Sequence, residues 1–377
     1  MKRKSLFIII SVTMLISIGL LAVFCTRQHH IEHITISAST SRSFAIMSDN
    51  TLWTWGFNVI TSSSIYSYNP LKKMDNVIAI SSNHLHAMAI TANGNLWAWG
   101  HNHHGELGSG VIGNRDEYVH EPIRVMRGVV AVSAGAYYTM AVKADGSLWG
   151  WGKNDFGQLG NGAIINHDGY VPESVPSPIY VMSDVTAVSA GVNHTMAIKT
   201  DGSLWGWGAN WRGQLGDGTT ICHTNPVHLM DNVTAVSVGY LHTLVICADG
   251  NLWTWGGNYS GQLGHGDIES HYSYNPKMIM SDVIAISAGH EHSTAITADG
   301  TLWVWGDNWR GQLGNVHLAR NHTPAKIMDD VIAVSAGSRH TTAIRADGSL
   351  WEWGDNLPGS IFGDPTPAHI MDGARLP

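Results

Sequence analysis

The chain has 377 residues, of which 44% are hydrophobic and only 13% charged, with a formal net charge of -8. One large domain accounts for that length, and a sparse acidic balance with no basic run after the first residues disfavours binding along a nucleic-acid backbone. The cysteines, Cys25, Cys222 and Cys247, fit no metal-binding or redox spacing; Cys222 and Cys247 read as unpaired thiols or, outside the cytoplasm, as a disulfide.

Met1-Lys2-Arg3-Lys4 precedes an apolar stretch from Leu6 to about Cys25, the pattern of an export signal or a membrane anchor. About 20 apolar residues suffice to cross a bilayer, more than most cleaved signals need. Residues 1–30 are therefore expected to be a retained anchor, with a cleaved signal as the alternative. The basic residues lie before the apolar stretch, which puts the remainder, residues 31–377, outside the cytoplasm: at the cell membrane if anchored, secreted if cleaved.

That remainder is a repeat array. Trp-x-Trp-Gly recurs every 44 to 56 residues, beginning at Trp53, Trp97, Trp149, Trp205, Trp253, Trp303 and Trp351. Each unit reads as short apolar strands joined by tight turns, clearest in blocks 186–191, 194–199 and 203–208. The turn before each Trp pair is Asp-Gly, as at Asp201-Gly202, with Asn93-Gly94 in the second unit and Asp49-Asn50 in the first. These pairs tolerate the positive φ of a hairpin, and no helical period survives beyond a turn. The expected fold is all-β: a seven-bladed β-propeller of antiparallel sheets. The tail 367–372 matches the segment before each later unit, yet no unit follows it. The ring is therefore expected to close by this C-terminal strand pairing onto the first blade.

The Ala-Gly-x-x-His-Thr step, the Asp-Gly hairpin, the Trp-x-Trp-Gly strand and the run Asn154-Asp155-Phe156-Gly157-Gln158-Leu159-Gly160, repeated from Asn210, Asn258 and Asn308, resemble the regulator of chromosome condensation repeat family. The resemblance covers roughly residues 31–373 and implies a seven-bladed propeller. It also implies nucleotide exchange on the GTPase Ran with chromatin binding, for which an exported, acidic chain is poorly suited. An exported member is expected instead.

Residues i and i+2 of a strand share a face, so both Trp of each pair are expected in the core between blades. Trp211 and Trp309 then remain. Strand order places the loops after Ala-Gly and after Trp-Gly on one face of the ring. Tyr137, Tyr240, His290, Glu291, Ser338 and Arg339 sit on the first kind, and Phe156, Trp211, Arg212, Tyr259, Trp309 and Arg310 on the second. Flat aromatics alternating with arginine on loops of a rigid scaffold are the composition of a protein-binding hot spot. A protein partner is expected, with a carbohydrate-binding propeller or an enzyme acting on an extracellular polymer as the alternatives.

His86, His194, His242, His292 and His340 recur at one place in their units, with Arg42 and Tyr138 in the other two. Recurrence points to a structural role, such as pairing a loop carbonyl. Sheets lie ~10 Å apart, too far for equivalent histidines to share one ion. His101, His103 and His104 lack a carboxylate or Cys at ligand spacing, so no metal and no cofactor is expected. No nucleophile elbow or phosphate-binding loop is present either, and no enzymatic activity is expected.

Overall fold

The computed structural model describes residues 36–58, 65–114, 118–163, 174–267, 269–315, 319–355 and 364–371. The expected anchor, with Cys25, lies outside them. Seven four-stranded antiparallel sheets follow one another along the chain, as blades 36–74, 77–127, 129–182, 185–230, 233–280, 283–328 and 331–371. In blade 4 the order from the axis outward is Val185–Ala190, His194–Lys199, Leu204–Gly208 and His223–Met230. His194 lies opposite Gly208 and Ala197 opposite Trp205. Gly208, at φ 97°, lets the strand turn beneath the Asn193 carbonyl; a Cβ there would stand 2.5 Å from that oxygen.

Closure by the C-terminal strand is not what forms. Asp364–Met371 pairs with Leu350–Gly354 of its own blade, and the first blade is complete without it. The reason is the repeat frame. The Pro-x-x-Ile-Met segment is the outer strand that ends each blade, and the Val-x-Ala-Val-Ser-Ala strand is the one that begins it, so each of the seven blades is built from one continuous stretch of chain.

Side chains join the blades instead. The serine of each inner strand accepts the N–H of the next blade: Ser81 from Ala134, Ser133 from Ala190, Ser189 from Val238, Ser237 from Ala288 and Ser287 from Ala336. Ser37 accepts from Ser82 N, and Ser335 accepts from Ala38 N at 2.9 Å, carrying the girdle across from blade 7 to blade 1. Apolar cores fill each junction, such as Ile36, Ala45 and Trp55 against Ala333, Ile344 and Leu350.

The two Trp of each pair differ. The second is buried everywhere, whereas the first is half-buried. The first donates its Nε1 to the hairpin hydroxyl below it, as Trp149 does to Ser147 and Trp205 to Ser203. The second donates across the junction to the carbonyl of the Gly-Gln-Leu-Gly loop: Trp207 to Gln158 O, Trp255 to Gln214 O and Trp353 to Gln312 O. That carbonyl also accepts the threonine hydroxyl beside it, as from Thr195 to Gln158 O at 2.8 Å.

This second pin fixes the histidine tautomer. The hydroxyl of Thr243 gives its proton to Gln214 O, so it accepts from His194 Nε2; Ser293 and Thr341 do the same for His242 and His292. The recurring histidine thus pairs with a hydroxyl of the next blade rather than with a loop carbonyl. Its Nδ1 is a buried acceptor without a hydrogen-bond partner in His86, His194, His242 and His292. Burial holds the pKa of each of these four at about 3.

Blade 2 carries Glu106 where blades 3 to 6 have Gln158, Gln214, Gln262 and Gln312. Like those glutamines it accepts a loop N–H, that of His104, at 2.6 Å. Burial raises its pKa, only partly offset by backbone donors. A raised carboxylate contributes its full stability below its unfolded pKa and loses it as pH rises through the folded value. Glu106→Gln should therefore stabilise the domain at pH 7 by on the order of 1 kcal/mol, the scale of one buried hydrogen-bond exchange. The gain should vanish below about pH 4, where the acid is protonated in both states; urea melts at the two pH values check this.

Cys222 and Cys247 are free thiols, so the disulfide alternative is dropped. Cys222 Sγ accepts the backbone N–H of Asn210 at 3.4 Å, and Cys247 lies 4.0 Å from the sulfur of Met230.

Candidate protein-docking face

The loop after each inner strand and the loop after each Trp-Gly strand meet at one face, tied by backbone bonds such as Lys153 N to Tyr137 O and Ala209 N to Asn193 O. Each outer loop is a rigid platform. Asn210 Oδ1 accepts Leu215 N at 3.0 Å, and Gln214 Oε1 accepts Arg212 N at 2.8 Å. Gln262 and Gln312 likewise hold Ser260 and Arg310. Side chains at the loop tips therefore sit on backbone that does not need to order on binding.

The expected residues form two groups. Along the outer loops, Phe156 and Trp211 meet edge to face at 4.6 Å, and the Arg212 guanidinium lies 5.7 Å from the Tyr259 ring and 5.3 Å from that of Tyr272. Tyr259 is 38% exposed and Trp309, on the next blade, 66%. Arg310 and Arg339 both approach Asp355, each at 3.8 Å. At the axis, by contrast, Tyr240 and His290 stack with centroids 4.1 Å apart, and Tyr137 bonds His84. Tyr137, Tyr240 and His290 thus belong to a mouth on the ring axis, separate from the outer rim.

Sequence reasoning missed Tyr272, Arg320 and Asp307. Arg320 donates to the Tyr259 carbonyl at 3.2 Å, bracing that loop from the following blade. The aromatic run His271-Tyr272-Ser273-Tyr274 was the available signal for Tyr272; nothing in the repeat frame pointed to Arg320. The Asp307 carboxylate is buried beside Gln312, whose Nε2 donates to it at 2.7 Å, and burial together with Glu291 raises its pKa.

Among the described residues no group of three or more His, Cys, Asp or Glu converges as metal ligands. His103 and His104 rings lie 4.7 Å apart, while His101 packs on Tyr118.

The RCC1-like domain model matches residues 22–283, more than half the chain, and regulator of chromosome condensation repeats match 283–312 and 299–344. The chain belongs to the RCC1-like domain family. This RCC1-like propeller is 39% identical over 92 residues to the RCC2 homologue of Xenopus laevis, which is 24% of this chain and 17% of that protein. It is 33% identical over 122 residues to the ultraviolet-B receptor UVR8 of Arabidopsis thaliana, 31% of this chain and 26% of the receptor. It thus matches only minor parts of these curated relatives. Yeast RCC1 (Prp20) bound to Kap60 superposes with a TM-score of 0.75 at 20% identity, over 96% of this chain and 92% of that one. Saccharomyces cerevisiae Prp20p, characterised for its binding to Gsp1p and histones, gives 0.74 at 20% identity over 91% and 88%.

These relatives overturn the exported, membrane-tethered reading. Two solved propellers that share the fold over almost the whole chain are yeast proteins, one bound to Kap60 and one characterised for its binding to Gsp1p and histones. A location at the cell membrane or outside the cell, a membrane partner, and a glycan or extracellular polymer as target therefore fall away. The apolar stretch that suggested them is a statement about hydropathy alone, and hydropathy does not distinguish a targeting segment from other apolar sequence. What stands is membership of the RCC1-like domain family.

Proposed function

We propose that this RCC1-like propeller is a protein-docking module that acts by binding rather than by covalent chemistry, and that it engages its partner through the rim of Phe156, Trp211, Arg212, Tyr259, Trp309 and Arg310. The observation that carries this reading is Trp309, a large aromatic left 66% exposed on a braced loop one blade on from the partly exposed Tyr259. Aromatics and arginines of this kind dominate interface energetics, and the aromatics cost little conformational entropy to bury. The histidines that would attract a catalytic reading are already engaged as pins between blades.

The proteins that the yeast relatives bind, Gsp1p, histones and Kap60, are the first partners to test here. Exchange on a Ran-type GTPase, which the family resemblance implies, is driven by binding, and nucleotide release from Gsp1p reads it separately. The combined Trp211→Ala, Tyr259→Ala and Trp309→Ala variant should lose at least about 4 kcal/mol of binding, close to a thousandfold in Kd. Its melting temperature should stay within a few degrees of the parent. Biosensor titration and thermal melting measure both; a partner held equally well by the variant would remove the rim from the interface.

A further inference from the structure

A cavity of about 340 Å³ opens at the centre of the loop face, on the ring axis. The first residue after the Gly of each inner loop, or its equivalent, reaches it. Thr40, Ala136, Val192 and Ser338 are small and leave it open, whereas His84, Tyr240 and His290 carry rings. The rings fall on opposite sides of the axis. On one, Tyr240 and His290 stack with planes 12° apart; on the other, His84 Nε2 bonds the Tyr137 hydroxyl. Among the described residues lining the cavity none is Asp, Glu, Lys or Arg. Glu291 and Arg339 follow His290 and Ser338 in sequence yet do not line it.

The blade frame does not require this arrangement, since small residues fill the ring-bearing positions in the other blades with no loss of the serine girdle, and in blades 4 and 7 His194 and His340 keep their pins as well. We propose that the axial mouth is a binding site for one uncharged planar heteroaromatic ring, received between the Tyr240–His290 pair and the His84–Tyr137 pair. The volume is at the low end of small-ligand pockets, enough for a bicyclic ring but not for an extended chain. Aliphatic walls from Ile36, Ile80 and Val238 favour a flat apolar body, and the Thr40 and Ser338 hydroxyls serve polar atoms at its edge. An ionised ligand would surrender its hydration with no opposite charge to receive it. Burial lowers the pKa of His84 to about 4 and that of His290 below its ordinary value, so the mouth itself carries no histidine charge at pH 7.

The inference is separate from docking on the outer rim, because small ring compounds test it without any protein partner. The full chain is titrated by calorimetry and ligand-observed NMR with adenine, for a free base, and with N-acetyltryptophanamide, for a ring displayed by a protein; benzoate and benzylamine are the charged comparisons. At least one neutral ring should bind with Kd below about 1 mM, and the charged rings at least tenfold more weakly. Tyr240→Ala should weaken binding at least tenfold, and Val192→Phe, at the mouth, should block it. Trp309→Ala, outside the mouth, should leave it unchanged. Adenine binding alone would mark a free base as the ligand, and N-acetyltryptophanamide binding alone a displayed side chain. Absence of binding by both neutral rings, equal binding of the charged ones, or binding that survives in Val192→Phe would overturn the proposal.

Discussion

Acidification from pH 7 to pH 5 should cost this propeller on the order of 8 kcal/mol, about 2 kcal/mol for each of four histidines, enough to unfold a domain of ordinary stability. His86, His194, His242 and His292 are buried with folded pKa values of about 3, against an unfolded value of about 6.5. Their folded pKa is depressed, so the stability they contribute is complete above pH 6.5 and drains away as pH falls from there towards 3. The physical reason is burial, which penalises the charged ring, and nothing offsets it: Nε2 already donates to a hydroxyl of the next blade, and a proton on Nδ1 would meet no acceptor. The hairpin carboxylates Asp145, Asp201 and Asp299 are also held low by their own turn hydroxyls and amides. They lose their contribution only below the ordinary carboxylate range, so the two effects separate in pH. Urea melts between pH 7 and pH 5 should show a slope near 5 kcal/mol per pH unit at the acid end, and His242→Gln should reduce it by about a quarter. A flat profile would mean that these rings are not held neutral.

Replacing Glu352 by Ala should destabilise the domain by about 2–5 kcal/mol, because the buried Trp55 N–H and Ser43 hydroxyl would both lose an acceptor. Six blades place Thr, Ala, Gly or Val between the two Trp of the repeat; blade 7 alone has Glu352. In the complete blades the junction pin is the carbonyl of the Gly-Gln-Leu-Gly loop. Blade 7 lacks that motif, and the Glu352 carboxylate takes its place: Oε2 accepts Trp55 Nε1, and Oε1 accepts Ser43 Oγ at 2.6 Å. His340 Nε2 lies 3.5 Å away and bonds Ser43 Oγ at 3.0 Å. Glu352 thus holds the last blade to the first at the junction that no continuous chain bridges. Glu352→Gln keeps an acceptor but loses the charge, and should cost about 1–3 kcal/mol. Equilibrium unfolding with hydrogen exchange at the Trp55 indole would locate the loss. A cost below about 1 kcal/mol for the alanine variant would show that the apolar core of the seam suffices.

The sequence by itself determined the architecture. Trp-x-Trp-Gly, the Asp-Gly hairpins and the Ala-Gly-x-x-His step recur in register, and period-two strands ended by turn residues admit little besides stacked four-stranded sheets. The same strand order placed Trp211, Tyr259 and Trp309 on one face. It also isolated Trp309 as a tryptophan outside the frame, and this is the most exposed of the aromatic rim residues.

Tertiary structure decided what periodicity cannot carry. The tail 367–372 looks the same whether it ends one blade or begins another, because a strand pattern records which face is buried and not which neighbour it pairs with; only the pairing with Leu350–Gly354 settles the frame. Likewise Tyr240 and His290, 50 residues apart by number, form one stacked pair because adjacent blades bring them to the axis. Glu352 is a charged letter in a repeat until the fold shows it serving Trp55 and Ser43, nearly the whole chain away. Local preference fixes strands and turns, whereas contacts between distant residues depend on how seven blades fit around one axis.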